Sequence, residues 1–284
     1  MRVLVTGAKG QLGFDVCSRL QEQGIAHLGI DIAECDLTVA DQVRAVFSEY
    51  APDAVIHCAA FTAVDKAETE VVICRRVNVD GTRNVAEACK SLNAAMMYIS
   101  TDYVFSGQGS EPFETDEPYN PQNVYGISKV DGEKVVRSLL SKYFIVRISW
   151  AFGANGQNFV KTMRRLGKEK AVLSVVSDQV GSPTYTQDLS FLLIDMICTD
   201  KYGIYHATNE GYCTWAEFAQ QIMTLSGLNC RIQDVLTKDY PTAAKRPLNS
   251  RMSKNSLDLA GFKRLRSWQE ALRDYISVLE NENK

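Results

Sequence analysis

The sequence lacks a surplus of charge of either sign: 31 lysines and arginines meet 34 aspartates and glutamates, leaving a formal net charge of −3. Nothing in its overall field draws it to nucleic acid or to an anionic lipid surface, so an anionic ligand has to be held by local groups. It also lacks any run of about 18 uncharged apolar residues, the length a membrane-crossing helix requires. The apolar stretch after Met1 is short and stops at Gly7, and the chain reads as soluble, untargeted and cytoplasmic, with no nucleic-acid or membrane partner. Closely paired cysteines are missing too. Cys17, Cys35, Cys58, Cys74, Cys89, Cys198, Cys213 and Cys230 show none of the spacings used by metal sites or redox motifs, and several sit in apolar runs as small core residues do. Reduced thiols are the expectation. There is no internal repeat and no low-complexity tract, which removes solenoid and fibrous architectures.

What the chain does have is length and apolar content, 284 residues of which 45% are hydrophobic, enough for a large core. Apolar runs of strand length alternate with longer segments of helical period. That order argues for parallel strands joined by crossover helices. Strands are expected over Arg2 to Thr6, Ala26 to Ile30, Ala54 to Cys58, Met96 to Thr101 and Phe144 to Ser149, and helices over Gln11 to Gln23, Val39 to Tyr50, Arg76 to Leu92 and Val124 to Ser141. The fold class is therefore α/β, a doubly wound, Rossmann-like parallel sheet. Beyond Trp150 the pattern is mixed, with helices near Phe159 to Leu166, Gln187 to Cys198 and Trp215 to Leu225. Two units are expected: a dinucleotide-binding domain over 1–150, and a smaller lobe over 151–284 that mainly binds substrate and returns some segments to the first. The stretch from Gly107 to Pro121, with Glu111, Glu114, Asp116 and Glu117, has the composition of an exposed excursion or lid.

Gly7-Ala8-Lys9-Gly10-Gln11-Leu12-Gly13 follows the first strand and opens the first helix. In that setting Gly7 permits a tight turn, Gly10 lets a pyrophosphate approach the backbone, and Gly13 lets helix pack closely on strand. The helix N-terminus adds amide donors and positive potential. The first gap is one residue longer than in the usual G-x-G-x-x-G form. Asp31 ends the second strand about 20 residues on, where a carboxylate accepts from ribose hydroxyls, which favours NADH. Lys9 is placed to pair with a 2′-phosphate, which favours NADPH, so the cofactor reads as NADPH or NADH. Ala59, Ala60, Phe61 and Thr62 follow the third strand at the same sheet edge, where small residues let a nucleotide lie on the backbone.

Tyr125-Gly126-Ile127-Ser128-Lys129 places a phenol and an ammonium four residues apart on one helix face. A tyrosine ordinarily loses its proton near about pH 10, and an adjacent cation is expected to bring it toward a useful acid/base range. Lys129 is also placed to reach the nicotinamide ribose. Thr101, at the end of the fourth strand, sits at the carboxyl edge shared with the glycine loop and can hydrogen-bond a substrate carbonyl.

Together these motifs resemble the dTDP-4-dehydrorhamnose reductase family, within the extended short-chain dehydrogenases/reductases. The resemblance runs nearly end to end and includes Thr62-Ala63-Val64-Asp65-Lys66-Ala67-Glu68, Asn78-Val79-x-Gly81-Thr82-x-Asn84, Ser100-Thr101-Asp102-Tyr103-Val104-Phe105, Asp178-Gln179-x-Gly181-x-Pro183-Thr184 and Arg246-Pro247-x-Asn249-Ser250. It implies hydride transfer to C4 of dTDP-4-dehydro-L-rhamnose, Tyr125 giving the proton, Lys129 holding ribose and tuning Tyr125, and Thr101 orienting the carbonyl. By position it implies cofactor contacts from Gln11, Leu12, Asp31, Asp36, Leu37, Ala60, Phe61, Thr62, Tyr125 and Lys129, and sugar contacts from Thr101, Asp102 and Trp150. For the diphosphate the available groups are Asn158 and Arg246, ahead of the helix cations Lys161, Arg164 and Arg165.

Some members of that family assemble around a metal held by acidic side chains. Here Asp15 is acidic but Gln187 stands where those relatives carry glutamate, and a carboxamide is a poorer ligand for a hard dication. No metal requirement is expected, and the assembly is a monomer or homodimer. The competing readings are a nucleotide-sugar 4,6-dehydratase, a 4-epimerase and a catalytically idle regulator such as the β subunit of methionine adenosyltransferase. The dehydratase uses Thr-Asp-Glu, and Tyr103 occupies the glutamate's place; the epimerase pattern fits this strand poorly; the idle regulator is opposed by intact Thr101, Tyr125 and Lys129.

Overall fold

The structure, a computed structural model, describes residues 1–281; residues 282–284, the end of the expected second lobe, lie outside the described residues. Five strands from the first half, β1 (Arg2–Thr6), β2 (Ala26–Ile30), β3 (Ala54–His57), β4 (Ala95–Thr101) and β5 (Tyr143–Ile148), are joined by Gly203–His206 from the second half. The order is β2, β1, β3, β4, β5, then Gly203–His206, every neighbouring pair parallel. Alternate residues of each strand face opposite layers. Val3, Val5, Ile56, Met97 and Phe144 pack on one side with Leu12, Val16 and Leu20 of helix α1 (Gln11–Glu22) and with Leu189 and Leu193 of the Thr186–Ile197 helix. Leu4, Val55, Met96, Tyr98 and Ile145 pack on the other with Val43 and Phe47 of α2 (Ala40–Tyr50) and with the Thr82–Leu92 and Val124–Leu139 helices. Because β2 and β3 lie on either side of β1, the chain reverses its winding there, and a crevice opens at the carboxyl edge.

The second half builds its own core around Phe152, Tyr185, Phe218 and Tyr275. It combines the Phe159–Glu169, Trp215–Leu225 and Trp268–Asn281 helices with a parallel pair, Val172–Val176 on Arg231–Val235. All eight cysteines are unpaired, and among the described residues no helix is long and apolar enough to cross a membrane.

Two elements differ from expectation. The helix expected over Arg76 to Leu92 begins at Val71 and passes through a π-helical turn at Arg76–Gly81 before Thr82–Leu92. Asn78 sits inside that turn, and its side chain accepts from the Phe61 amide (2.7 Å) and donates to the Phe61 carbonyl (3.1 Å) and Ser128 Oγ (2.9 Å). Such turns often mark functional positions, and period counting does not reveal them. The Gly107–Pro121 stretch is no free lid. Phe113 stacks on Phe105 at 4.6 Å, Thr115 accepts from Arg147, Asn249 donates to the Glu111 carbonyl at 2.8 Å, and Gly107 lies so close to Pro247 that a Cβ would sit 2.6 Å from its ring.

Two of the buried polar groups are histidines. His57 Nδ1 lies 2.7 Å from Thr6 Oγ1, and His206 Nδ1 lies 3.0 Å from the Ser253 carbonyl oxygen. Burial pulls both imidazoles down from 6.5 to about 3. Above the ordinary value both are neutral, folded or unfolded; below it the unfolded chain takes up protons that the folded chain refuses. Stability is therefore lost as pH falls from 6.5 toward 3. Denaturant titrations are expected to show the unfolding free energy dropping by about 4 kcal/mol between about pH 7 and pH 5 from these two groups, with His206→Gln removing roughly half. A flat profile over that window would contradict the assignment.

Candidate active site

A cleft of about 830 Å³ runs along the carboxyl edge, from the glycine loop past β2 and β3 to the ends of β4 and β5. Gly7 adopts φ +66°, and a Cβ there would lie 2.7 Å from the Ala59 nitrogen; a Cβ on Gly13 would lie 2.1 Å from the Gly7 carbonyl oxygen. These two glycines are fixed by backbone contact. Gly10 begins α1 with no side-chain cap, and no acidic residue occupies the first turn, so the helix amides and dipole are left for a ligand's negative charge. At the end of β2 the Asp31 carboxylate accepts from the amides of Lys9 (3.0 Å) and Ile32 (2.8 Å), while Lys9 Nζ pairs with Glu34 at 2.6 Å. Thr38 donates to Asp36 and holds its carboxyl below the usual range. These features fit a dinucleotide: bare helix amides for a diphosphate, carboxylates for ribose hydroxyls and Lys9 at the lip.

Gly7, Gly10, Gln11, Leu12, Asp31, Asp36, Leu37, Ala59, Ala60, Phe61, Thr62, Thr101, Asp102, Tyr125, Lys129 and Trp150 all line this one cleft. Thr101 ends β4 and donates to Asp102 Oδ1 at 2.9 Å, and Ser250 donates to Oδ2 at 2.5 Å. Burial raises the Asp102 carboxyl to about 6, with both hydroxyl donors opposing. Asn123 caps the Val124–Leu139 helix by accepting from the Gly126 amide at 2.8 Å. Gly126 lets the helix start close to the Asp102–Val104 turn that follows β4, since a Cβ there would meet the Tyr103 carbonyl oxygen at 2.4 Å. Tyr125 follows the cap and meets the Tyr103 ring edge-on at 5.5 Å.

The expectation that Lys129 lowers the Tyr125 pKa is corrected here. Burial, reinforced by nearby Asp102, pushes the phenol well above its usual value against a hydrogen bond with Thr101. Lys129 Nζ instead donates to the Ile99 carbonyl at 2.7 Å, and burial draws it down to about 7, with Glu133 the main opposing charge. A phenol held protonated at neutral pH is suited to giving a proton rather than taking one.

Neither expected diphosphate group lines the cleft. Asn158 caps the Phe159–Glu169 helix, and the two N–H bonds of its amide are shared among Gln11 Oε1 (3.0 Å), the Gly153 carbonyl (2.9 Å) and the Tyr275 hydroxyl (3.0 Å). Its side chain is fully used in joining that helix to the glycine loop. Arg246 donates to the Tyr103 hydroxyl at 2.9 Å and pairs with Asp65, so it reaches the cleft through Tyr103. The Lys161 ammonium is engaged by the Ala154 and Gly156 carbonyls and Arg165 by Glu169. The Asp15 carboxylate accepts from Thr186 Oγ1 at 2.5 Å.

Trp150 is the least comfortable residue at the site. Its φ is 49°, a left-handed conformation that costs a bulky side chain about 1–3 kcal/mol. Its indole stacks on Trp215 at 3.7 Å, and Gly181 lies against it, where a Cβ would meet Trp150 Cε2 at 2.9 Å. Strand-end tryptophans are usually core; this one is held at the cleft wall.

The family model for the RmlD substrate binding domain matches residues 1–281. The chain belongs to this family. It is 43% identical over 277 residues to the spore coat polysaccharide biosynthesis protein SpsK of Bacillus subtilis (strain 168), covering 97% of this chain and 96% of that protein. It is 40% identical to the dTDP-4-dehydrorhamnose reductase of Aggregatibacter actinomycetemcomitans, covering 98% and 99%. The crystal structure of dTDP-4-dehydrorhamnose reductase from Bacillus anthracis str. Ames in complex with NADP matches with a TM-score of 0.95 at 43% identity, covering 97% of this chain and 98% of that one.

Within this RmlD family chain the site has members that reading the sequence did not single out: Asn78 on Phe61, Ser250 on Asp102 and Trp215 behind Trp150. Asn78 and Ser250 stand in stretches that carried the family resemblance, so position was legible and role was not. For Gly181→Ala, the added methyl is expected to displace the Trp150 indole, weaken the circular-dichroism couplet of the Trp150–Trp215 stack and cost about 1–3 kcal/mol in thermal unfolding. An unchanged couplet would show that Gly181 does not set the indole's place.

Proposed function

We propose that this chain reduces the C4 keto group of dTDP-4-dehydro-L-rhamnose to give dTDP-L-rhamnose, with hydride supplied by NADPH or NADH. The observation that carries the reading is the convergence of Thr101, Asp102, Tyr125 and Lys129 on a cleft continuous with the bare N-terminus of α1. On this reading residues 1–150 bind mainly the dinucleotide and 151–284 mainly the sugar nucleotide, in the cytoplasm.

Thr101 orients the substrate carbonyl, and Tyr125, protonated because it is buried, gives its proton to the forming alkoxide. Lys129 holds the nicotinamide ribose. Asp102, steadied by Ser250, accepts a sugar hydroxyl, and Trp150 provides the wall beside the ring. Gly7, Gly10, Gln11 and Leu12 hold the pyrophosphate; Asp31, Asp36 and Leu37 border the adenosine; Ala59, Ala60, Phe61 and Thr62 line the path between. Arg246 supplies the cation for the thymidine diphosphate by exchanging Asp65 for it, and Asn158 acts through Gln11. Elimination is disfavoured because Tyr103, hydrogen-bonded to Arg246, fills the place of the base a dehydratase needs.

Incubation with dTDP-4-dehydro-L-rhamnose is expected to oxidise NADPH or NADH, followed by loss of reduced-nicotinamide absorbance; no turnover with either cofactor refutes the reading. Tyr125→Phe should keep cofactor affinity and lower kcat by about 10²–10⁴-fold, since proton donation acts only in the transition state. Arg246→Ala should weaken thymidine diphosphate binding by about 10-fold or more, and unchanged affinity would remove Arg246 from the substrate site.

A further inference from the structure

Behind the cleft floor lies an ion pair to which the proposed chemistry assigns no task. Glu133 and Arg147 have side chains exposed by 0% and 1%. The Glu133 carboxylate accepts four hydrogen bonds, from Arg147 Nε (2.9 Å) and Nη2 (2.8 Å), Ser100 Oγ (2.5 Å) and the Tyr119 hydroxyl (2.7 Å). Arg147 lies opposite Ser100 in the β4–β5 register and also donates to the Thr115 carbonyl at 3.0 Å. Tyr125, Lys129 and Glu133 follow one another at intervals of four on one helix and so share a face. Ser100 stands between Ile99, whose carbonyl accepts from Lys129, and Thr101. One carboxylate therefore ties the helix bearing Tyr125 and Lys129 to the strand bearing Thr101, at the residue beside it.

We propose that Glu133, held by Arg147, is a positioning residue for the reductase site: it sets the helix against β4 so that Lys129 and Tyr125 are aligned with Thr101. The proposal rests on the reductase reading for its catalytic consequence. A merely structural pair would be replaceable by apolar groups, because a buried ion pair contributes little net stability over well-packed isosteres. The placement argues for more. The titratable groups facing Lys129 are Glu133 on its own helix and the thiols of Cys58 after β3 and Cys74 of the Val71–Arg75 helix, both pushed up by burial and so neutral; His57 of β3 and the Tyr98 ring, 4.0 Å from Nζ, complete the surroundings. Among these, Glu133 is the one carboxylate, four residues from Lys129, and its charge opposes the burial that draws Lys129 down.

The test uses the full chain carrying Glu133→Gln with Arg147→Met, so that no unpaired buried guanidinium remains. Lys129 ionisation is followed by 13Cε-lysine NMR, the resonance being assigned with Lys129→Met. The double variant is expected to stay folded, its Lys129 midpoint falling by more than about half a pH unit through loss of the counter-charge. Its kcat should drop on the order of 10-fold or more with KM nearly unchanged, as misalignment of a reacting group predicts. Glu133→Asp keeps the charge and should hold the Lys129 midpoint closer to that of the unaltered chain. A folded double variant with unaltered midpoint and kcat overturns the proposal, as does a Glu133→Asp midpoint as low as that of the double variant. Because the midpoint is read without turnover, failure of the unaltered chain to reduce the keto sugar would count against the proposed activity alone.

Discussion

Two charges removed from water, Glu133 and Arg147, have no low-energy alternative to each other, and the centre of the molecule is organised around that constraint. Removing one partner of such a pair leaves a buried, uncompensated charge at a cost of about 3–5 kcal/mol. The pair crosses three elements at once, the Val124–Leu139 helix, β4 through Ser100 and β5 through Arg147, and through Tyr119 and Thr115 it also fastens the Gly107–Pro121 stretch. A segment with the composition of a mobile lid thereby becomes part of the wall behind the cleft, and the helix with Tyr125 and Lys129 is set in register with the strand that ends in Thr101.

The dinucleotide end relies on a different physical device. Gly7 and Gly13 contribute by having no side chain, so that α1 starts in contact with the turn behind it and its N-terminal amides face the cleft without a capping residue. Charge there is local, as a chain of net charge −3 requires: Asp31 is steadied by backbone amides and Lys9 is paired with Glu34. At the far end, the indole of Trp150, whose backbone is left-handed, is packed against Trp215 and Gly181. The three regions together shape one cleft.

Legibility in the sequence followed the range of the interaction. The five strands of the first half and the helices between them were readable because burial of both sheet faces writes apolar runs into the chain, and the glycine turn and the Tyr125/Lys129 spacing are local patterns with local causes. The π-helical turn at Arg76–Gly81 was not readable, since an extra residue in one helical turn hardly changes the apolar period. Nor was the direction of the Tyr125 shift. Four-residue spacing to a cation suggested a lowered value, but the phenol's burial and the carboxylate of Asp102 are set by elements distant in sequence.

By itself, then, the sequence determined the parallel sheet, the glycine turn that opens the cleft and the residue types gathered at its edge, because periodicity and turn chemistry act over a few neighbours. Only the tertiary structure decided what each group faces: Lys129 toward the Ile99 carbonyl, Asn158 toward Gln11, Arg246 toward Asp65 and Tyr103, and Gly203–His206 as the sixth strand. Each of these depends on desolvation and partner geometry created when segments many residues apart are packed together, and neither quantity exists along the unfolded chain.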